Sequence, residues 1–160
     1  TPADSLEESL KEMKSMRKKD APKRNWREMM KDVKKDMDEG RLWLQQYDVI
    51  PTLRFEKDVK YYAKKYRKID QDLEELFAEL ENGNLLGDEL DNLHLPDNEH
   101  TYKVRVANTS AKVGKSNGFR VVYYVIKDDK EIYLLTIYSK KDKDTLSDSE
   151  IKSLIKKYII

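Results

Sequence analysis

The 160-residue chain has no cysteine. That excludes disulfide bridges and thiolate metal sites, and suits a reducing compartment such as the cytoplasm. Histidine occurs only twice, as His94 and His100, both in a polar connecting stretch. A two-histidine nuclease or a metal hydrolase is therefore not expected, and neither a metal nor any other cofactor is. No apolar run approaches the ~18 residues of a membrane span, and the first residues carry no charged-then-apolar leader pattern. No membrane partner is expected.

What the chain does have is charge. Charged residues make up 39% and hydrophobic ones 38%, with a formal net charge of +1. The near balance hides an asymmetry, because no acid lies between Thr101 and Lys127, a stretch that holds Lys103, Arg105, Lys112, Lys115 and Arg120. A locally basic face on a neutral protein points to an anionic partner, or to lysines that keep a sheet edge soluble.

Composition also shifts along the chain. All five methionines (13, 16, 29, 30 and 37) precede residue 40, whereas all ten tyrosines follow it. This predicts a helical segment over residues 1–40, a linker over 41–46 and a main domain over 47–160. In the first segment, Ser5-Leu6-Glu7-Glu8 has capping-box spacing. Leu6, Leu10 and Met13 then recur at helical intervals. Ala21-Pro22 interrupts, Asn25 is placed to cap a second helix, and Trp26, Met29, Met30, Val33 and Met37 form one apolar stripe. Two such narrow stripes bury little against each other and need another surface, either a partner's or the main core's.

The main domain reads as a strand at 47–52, helices over 55–66 and from about residue 70, and an acidic turn-rich passage. Strands at 102–107, 119–126 and 132–138 follow, then a helix capped near Ser147. The order predicts an α+β fold, an antiparallel sheet with helices on one face. Gly114-Lys115-Ser116 imitates the end of a P-loop, but Thr109 stands where its first glycine is required. Nucleotide hydrolysis is excluded.

Tyr102-Lys103-Val104-Arg105-Val106-Ala107, followed by Gly114-Lys115-Ser116-Asn117-Gly118-Phe119-Arg120-Val121-Val122-Tyr123-Tyr124, resembles the central hairpin of RelE/HigB-type toxins. Leu134-Leu135-Thr136-Ile137-Tyr138-Ser139-Lys140 is similar to the last strand of the same family. The resemblance implies an endoribonuclease that cuts messenger RNA, usually on the ribosome, by attack of a ribose 2′-hydroxyl on the adjacent phosphate. That chemistry needs a base, an acid and positive charge on the phosphorane oxygens. It assigns catalysis to Arg105, Lys115, Arg120, Tyr138 and Lys140, and RNA contact to Lys103, Lys112 and Lys115. Plainer readings stand beside these: Arg120 as a surface cation, the lysines as solubility groups, Tyr138 as core. Strand alternation puts Lys103 and Arg105 on one face, opposite to Tyr102, Val104 and Val106.

Residues 1–40 resemble the toxin-binding half of a short antitoxin. This implies neutralising contacts from Leu6, Leu10, Met13, Trp26, Met29, Met30, Val33 and Met37. The expected partners are messenger RNA and a cognate antitoxin, or its equivalent within the chain. The alternative is a ParE-type relative of the same fold, which poisons DNA gyrase and cuts no RNA.

Overall fold

The computed structural model describes residues 5–19, 25–31, 46–90, 95–142 and 146–159. Two helices come first, α1 (Leu6–Lys19) and α2 (Trp26–Lys31). Strand β1 (Asp48–Pro51) leads into α3 (Leu53–Ala63) and α4 (Ile69–Glu81). Then come β2 (Asp88–Glu89), β3 (Glu99–Val106), β4 (Phe119–Ile126), β5 (Glu131–Ser139) and α5 (Asp148–Ile159).

The strands form one sheet in the order β1-β5-β4-β3-β2. Its centre is antiparallel, while β1 pairs parallel to β5 with Val49 opposite Ile132. The α+β class is as expected, but the layering is not. Helices α2, α3 and α4 cover one face through Trp26, Phe55, Phe77 and their neighbours. Helices α1 and α5 cover the other through Leu6, Leu10, Ile151 and Ile155. The reason lies in the central strands, since every residue of β4 is buried, and so is every residue of β5 after Glu131. A strand that is apolar on both sides needs cover on both sides.

The stripes of the first segment are buried in this double cover. Leu6, Leu10 and Met13 lie with α5 on one face, and Trp26, Met29 and Met30 with α3 and α4 on the other. Val33 and Met37 lie outside the described residues. Asn25 does cap α2, its Oδ1 accepting from the Glu28 amide at 3.0 Å. Ser147 caps α5 in the same way, accepting from the Glu150 amide at 3.2 Å.

Helix α1 docks by a polar seam as well as an apolar one. The Ser5 hydroxyl donates to Asp58 and lies 2.8 Å from the Thr136 hydroxyl. Ser9 meets Thr52 at 2.9 Å and donates to the Leu135 carbonyl. Glu12 accepts from the Leu53 amide at 2.7 Å, so α1 helps to cap the start of α3.

Burial pushes the Asp58 carboxyl up to about 7, against the opposing pull of the Ser5 and Thr136 hydroxyls, the Arg54 guanidinium and the Ile137 amide. Above its ordinary 3.8 the unfolded chain loses this proton while the folded chain keeps it. Stability therefore falls as pH rises from that value to about 7, and levels off beyond. Thermal unfolding followed between about pH 4 and 8 should show this decline in the native chain and a shallower one in Asp58→Asn. Parallel curves would assign the decline to other groups.

Candidate functional site: a cationic cleft at one end of the sheet

The alternation expected for β3 holds. Val104 and Val106 enter the core beneath α3 and α4, and Tyr102 stacks on Tyr123 with ring centroids 5.3 Å apart. Lys103 and Arg105 thus face the side that carries α1 and α5. Register then places Arg105 directly opposite Arg120, and Arg120 opposite Tyr138. The three form a row across β3, β4 and β5.

This row lies at a cleft of ≈ 480 Å³ lined by the cations Lys103, Arg105, Arg120, Lys140 and Lys152. Three carboxylates share the lining, Asp88, Glu89 and Asp148. The cations come from two strands, the turn after β5 and helix α5, so the convergence is a product of the fold. Asp148, in the first turn of α5, accepts from the Lys103 ammonium at 3.0 Å.

Arg105 is exposed and makes no ion pair among the described residues. Arg120 is only 7% exposed. Its Nη1 donates to the carbonyls of Lys115 at 3.0 Å and Phe119 at 3.2 Å, and its Nη2 to that of Ser116 at 2.8 Å. Burial and the charge of Arg105 lower its pKa, while Tyr138 opposes that shift. Like charges held directly opposite on a sheet repel, and an anion at the exposed Arg105 relieves the repulsion.

Tyr138 is 2% exposed and belongs to the cluster under α5. Burial raises its phenol, only partly offset by Arg120. It lies too deep to stack on a base, and the core reading is the one its burial supports. Lys115 sits at a neighbouring groove between α4 and β3, beside Arg105, Glu75 and Leu76. Lys112 lines neither recess. It ends a 3₁₀ turn with φ 58° and points to solvent.

The sequence reading missed Lys152 and Asp148. Their spacing of four on one helix, just past the Ser147 cap, was the available signal. Among the described residues no group of histidines and carboxylates is arranged to hold a metal ion, and no helix is long and apolar enough to cross a membrane.

The family model for the ParE toxin of the type II toxin–antitoxin system (parDE) matches residues 49–143. The match runs from β1 through the turn after β5 and covers more than half of the chain. The chain belongs to the ParE toxin family. The expectation of a toxin from a toxin–antitoxin system holds at that level, and membership implies a cognate antitoxin. The matching model is the ParE one, so the RelE/HigB subtype carries no support from it. Helices α1, α2 and α5 lie outside the ParE match.

Proposed function

We propose that this ParE-family toxin cuts messenger RNA at the cationic cleft, with the transcript seated in the ribosome, and that α1 and α2 restrain it as a built-in antitoxin. The observation that carries the nuclease reading is Arg105 opposite Arg120, with Lys103, Lys140 and Lys152 around them. A poison that only binds a protein has no need of cations gathered against one another in this way. In the reaction the ribose 2′-hydroxyl gives its proton to solvent water as its oxygen bonds to phosphorus, and the 5′-oxygen leaves, giving a 2′,3′-cyclic phosphate and a 5′-hydroxyl. Cationic side chains oppose the charge that develops on the phosphorane oxygens. No histidine lines the cleft, so Lys140 or Lys152 supplies the proton to the leaving oxygen.

A second reading is favoured by the family match: a ParE-type toxin that binds DNA gyrase and leaves RNA intact. Expression of the toxin in cells separates the two. Loss of full-length message supports the nuclease. Intact message with a rising DNA damage response supports gyrase.

The restraint is indirect. Helix α1 touches β5, α3 and, through Arg17 to Asp129 at 3.0 Å, the turn between β4 and β5. It also packs on α5, whose first turn occupies Lys103. The inhibitory path therefore runs through α5. Trp26→Ala with Met30→Ala should raise toxicity, and removal of residues 1–40 should raise it most. Equal growth of cells making the full chain and the trimmed one, at matched levels of folded protein, would sink the built-in antitoxin.

A further inference from the structure

We propose that Arg120 is a positioning residue: its guanidinium holds the loop of residues 114–118 in shape, and Arg105 is the arginine that meets the phosphate. The second half rests on the nuclease reading. The first half stands on geometry alone.

The loop is a 3₁₀ turn (Lys115–Asn117) between two glycines. At its far end Gly118 is wedged against β3, where a Cβ would lie 2.1 Å from the Val106 carbonyl oxygen. The Gly118 carbonyl accepts from the Lys140 amide at 2.8 Å, tying the loop to the turn after β5. In the middle of the loop, the carbonyls of Lys115 and Ser116 both accept from Arg120. Lys115, Ser116 and Asn117 are themselves exposed and bury no side chain. Within the loop the Asn117 amide donates to the Gly114 carbonyl at 3.3 Å, and the Arg120 fork is the side-chain contact that fixes the turn from outside.

A guanidinium has five N–H donors in a fixed plane. Arg120 spends three bonds on backbone carbonyls and is nearly sealed from solvent. Arg105, its register partner, is exposed, so an incoming phosphate reaches Arg105 first. The loop that Arg120 shapes carries Lys115 to the rim of the groove that Arg105 also lines. Arg120 therefore acts on the anion indirectly, through the shape of a loop whose end is tied to the Lys140 backbone at the cleft.

Arg120→Lys and Arg105→Ala separate the two roles. Lysine keeps the charge but offers a point donor in place of a fork. Loss of a single bond of this kind shifts a local opening equilibrium several-fold. The Asn117 amide, which donates to the Gly114 carbonyl across the turn, should then exchange with deuterium several-fold faster in Arg120→Lys, with β4 and β5 unchanged. Binding of a short single-stranded RNA, followed against salt, gives the second readout. Removing a phosphate contact reduces the slope of log K on log salt by about 0.7 for single strands. Arg105→Ala should lose that increment, whereas Arg120→Lys should weaken binding with the slope intact. Unchanged loop exchange in Arg120→Lys overturns the proposal, and so does loss of slope in that variant. If Arg105→Ala keeps the native slope, Arg105 is not the phosphate contact and the second half falls, while loss or survival of message in cells decides the nuclease reading and the exchange result decides the role of Arg120.

Discussion

Replacing Arg27 by methionine should destabilise the folded chain by about 3–5 kcal/mol, the cost of removing one partner from a buried ion pair. Arg27 reaches from α2 to Glu81 at the end of α4, with Nη1 2.5 Å from Oε2 and Nη2 2.9 Å from Oε1. The side chains are 3% and 5% exposed. Its guanidinium also lies 4.7 Å from the ring centroid of Trp26, which in turn packs on Phe77 with centroids 5.3 Å apart. Methionine fills the space but leaves the Glu81 carboxylate buried without its cation. Urea unfolding measures the loss. The double change Arg27→Met with Glu81→Leu should recover most of it, because a matched apolar pair replaces a buried charge pair at little cost. A single-variant loss below about 1 kcal/mol, in the range of an exposed pair, would show that Glu81 finds water when Arg27 is gone.

Arg105→Ala should lower cleavage of ribosome-bound message by about 10²–10³, the usual effect of deleting one donor to a charged transition state. The fold should barely notice, since an exposed substitution changes stability by about 0.5 kcal/mol or less. Losing the charge opposite Arg120 even removes a repulsion. Single-turnover cleavage with equal amounts of folded protein is the measurement. A parental rate would take Arg105 out of the site. Arg120 does not offer so clean a test by activity alone, because it is buried against three carbonyls.

How far the sequence reached depends on which interactions leave a local trace. The faces of β3 were legible because alternation is a property of the strand itself, and Lys103 and Arg105 emerged on the expected side. Caps at Asn25 and Ser147 were legible for the same reason. The double cover was written in the unbroken apolar runs of β4 and β5, yet an antiparallel sheet with one wet face is a stronger habit of thought than the runs themselves. Beyond that, local pattern fails. Ser5 reads as a helix cap and Ser9 as a solvated position on α1, and only the fold brings them to Asp58 and Thr52. Arg120 binds carbonyls, which every residue has, so no side-chain motif announces its partners. Asp148 and Lys152 are distant in sequence from Lys103 and Arg105, and no periodicity links a helix to a strand it approaches end-on.

Helices α1 and α2 grip opposite faces of one sheet. Such an arrangement is bivalent. If one helix lets go, the other keeps it close, and re-closing is intramolecular at an effective concentration on the order of millimolar. Dilution, which separates a toxin from an antitoxin on another chain, has no purchase on this pair. The opening rate of the whole clasp is set by the rare moment when both grips fail together. Under the restraint proposed above, expression level would drop out of the balance between restrained and released toxin, and breakage of the backbone ahead of β1 would become the event that matters.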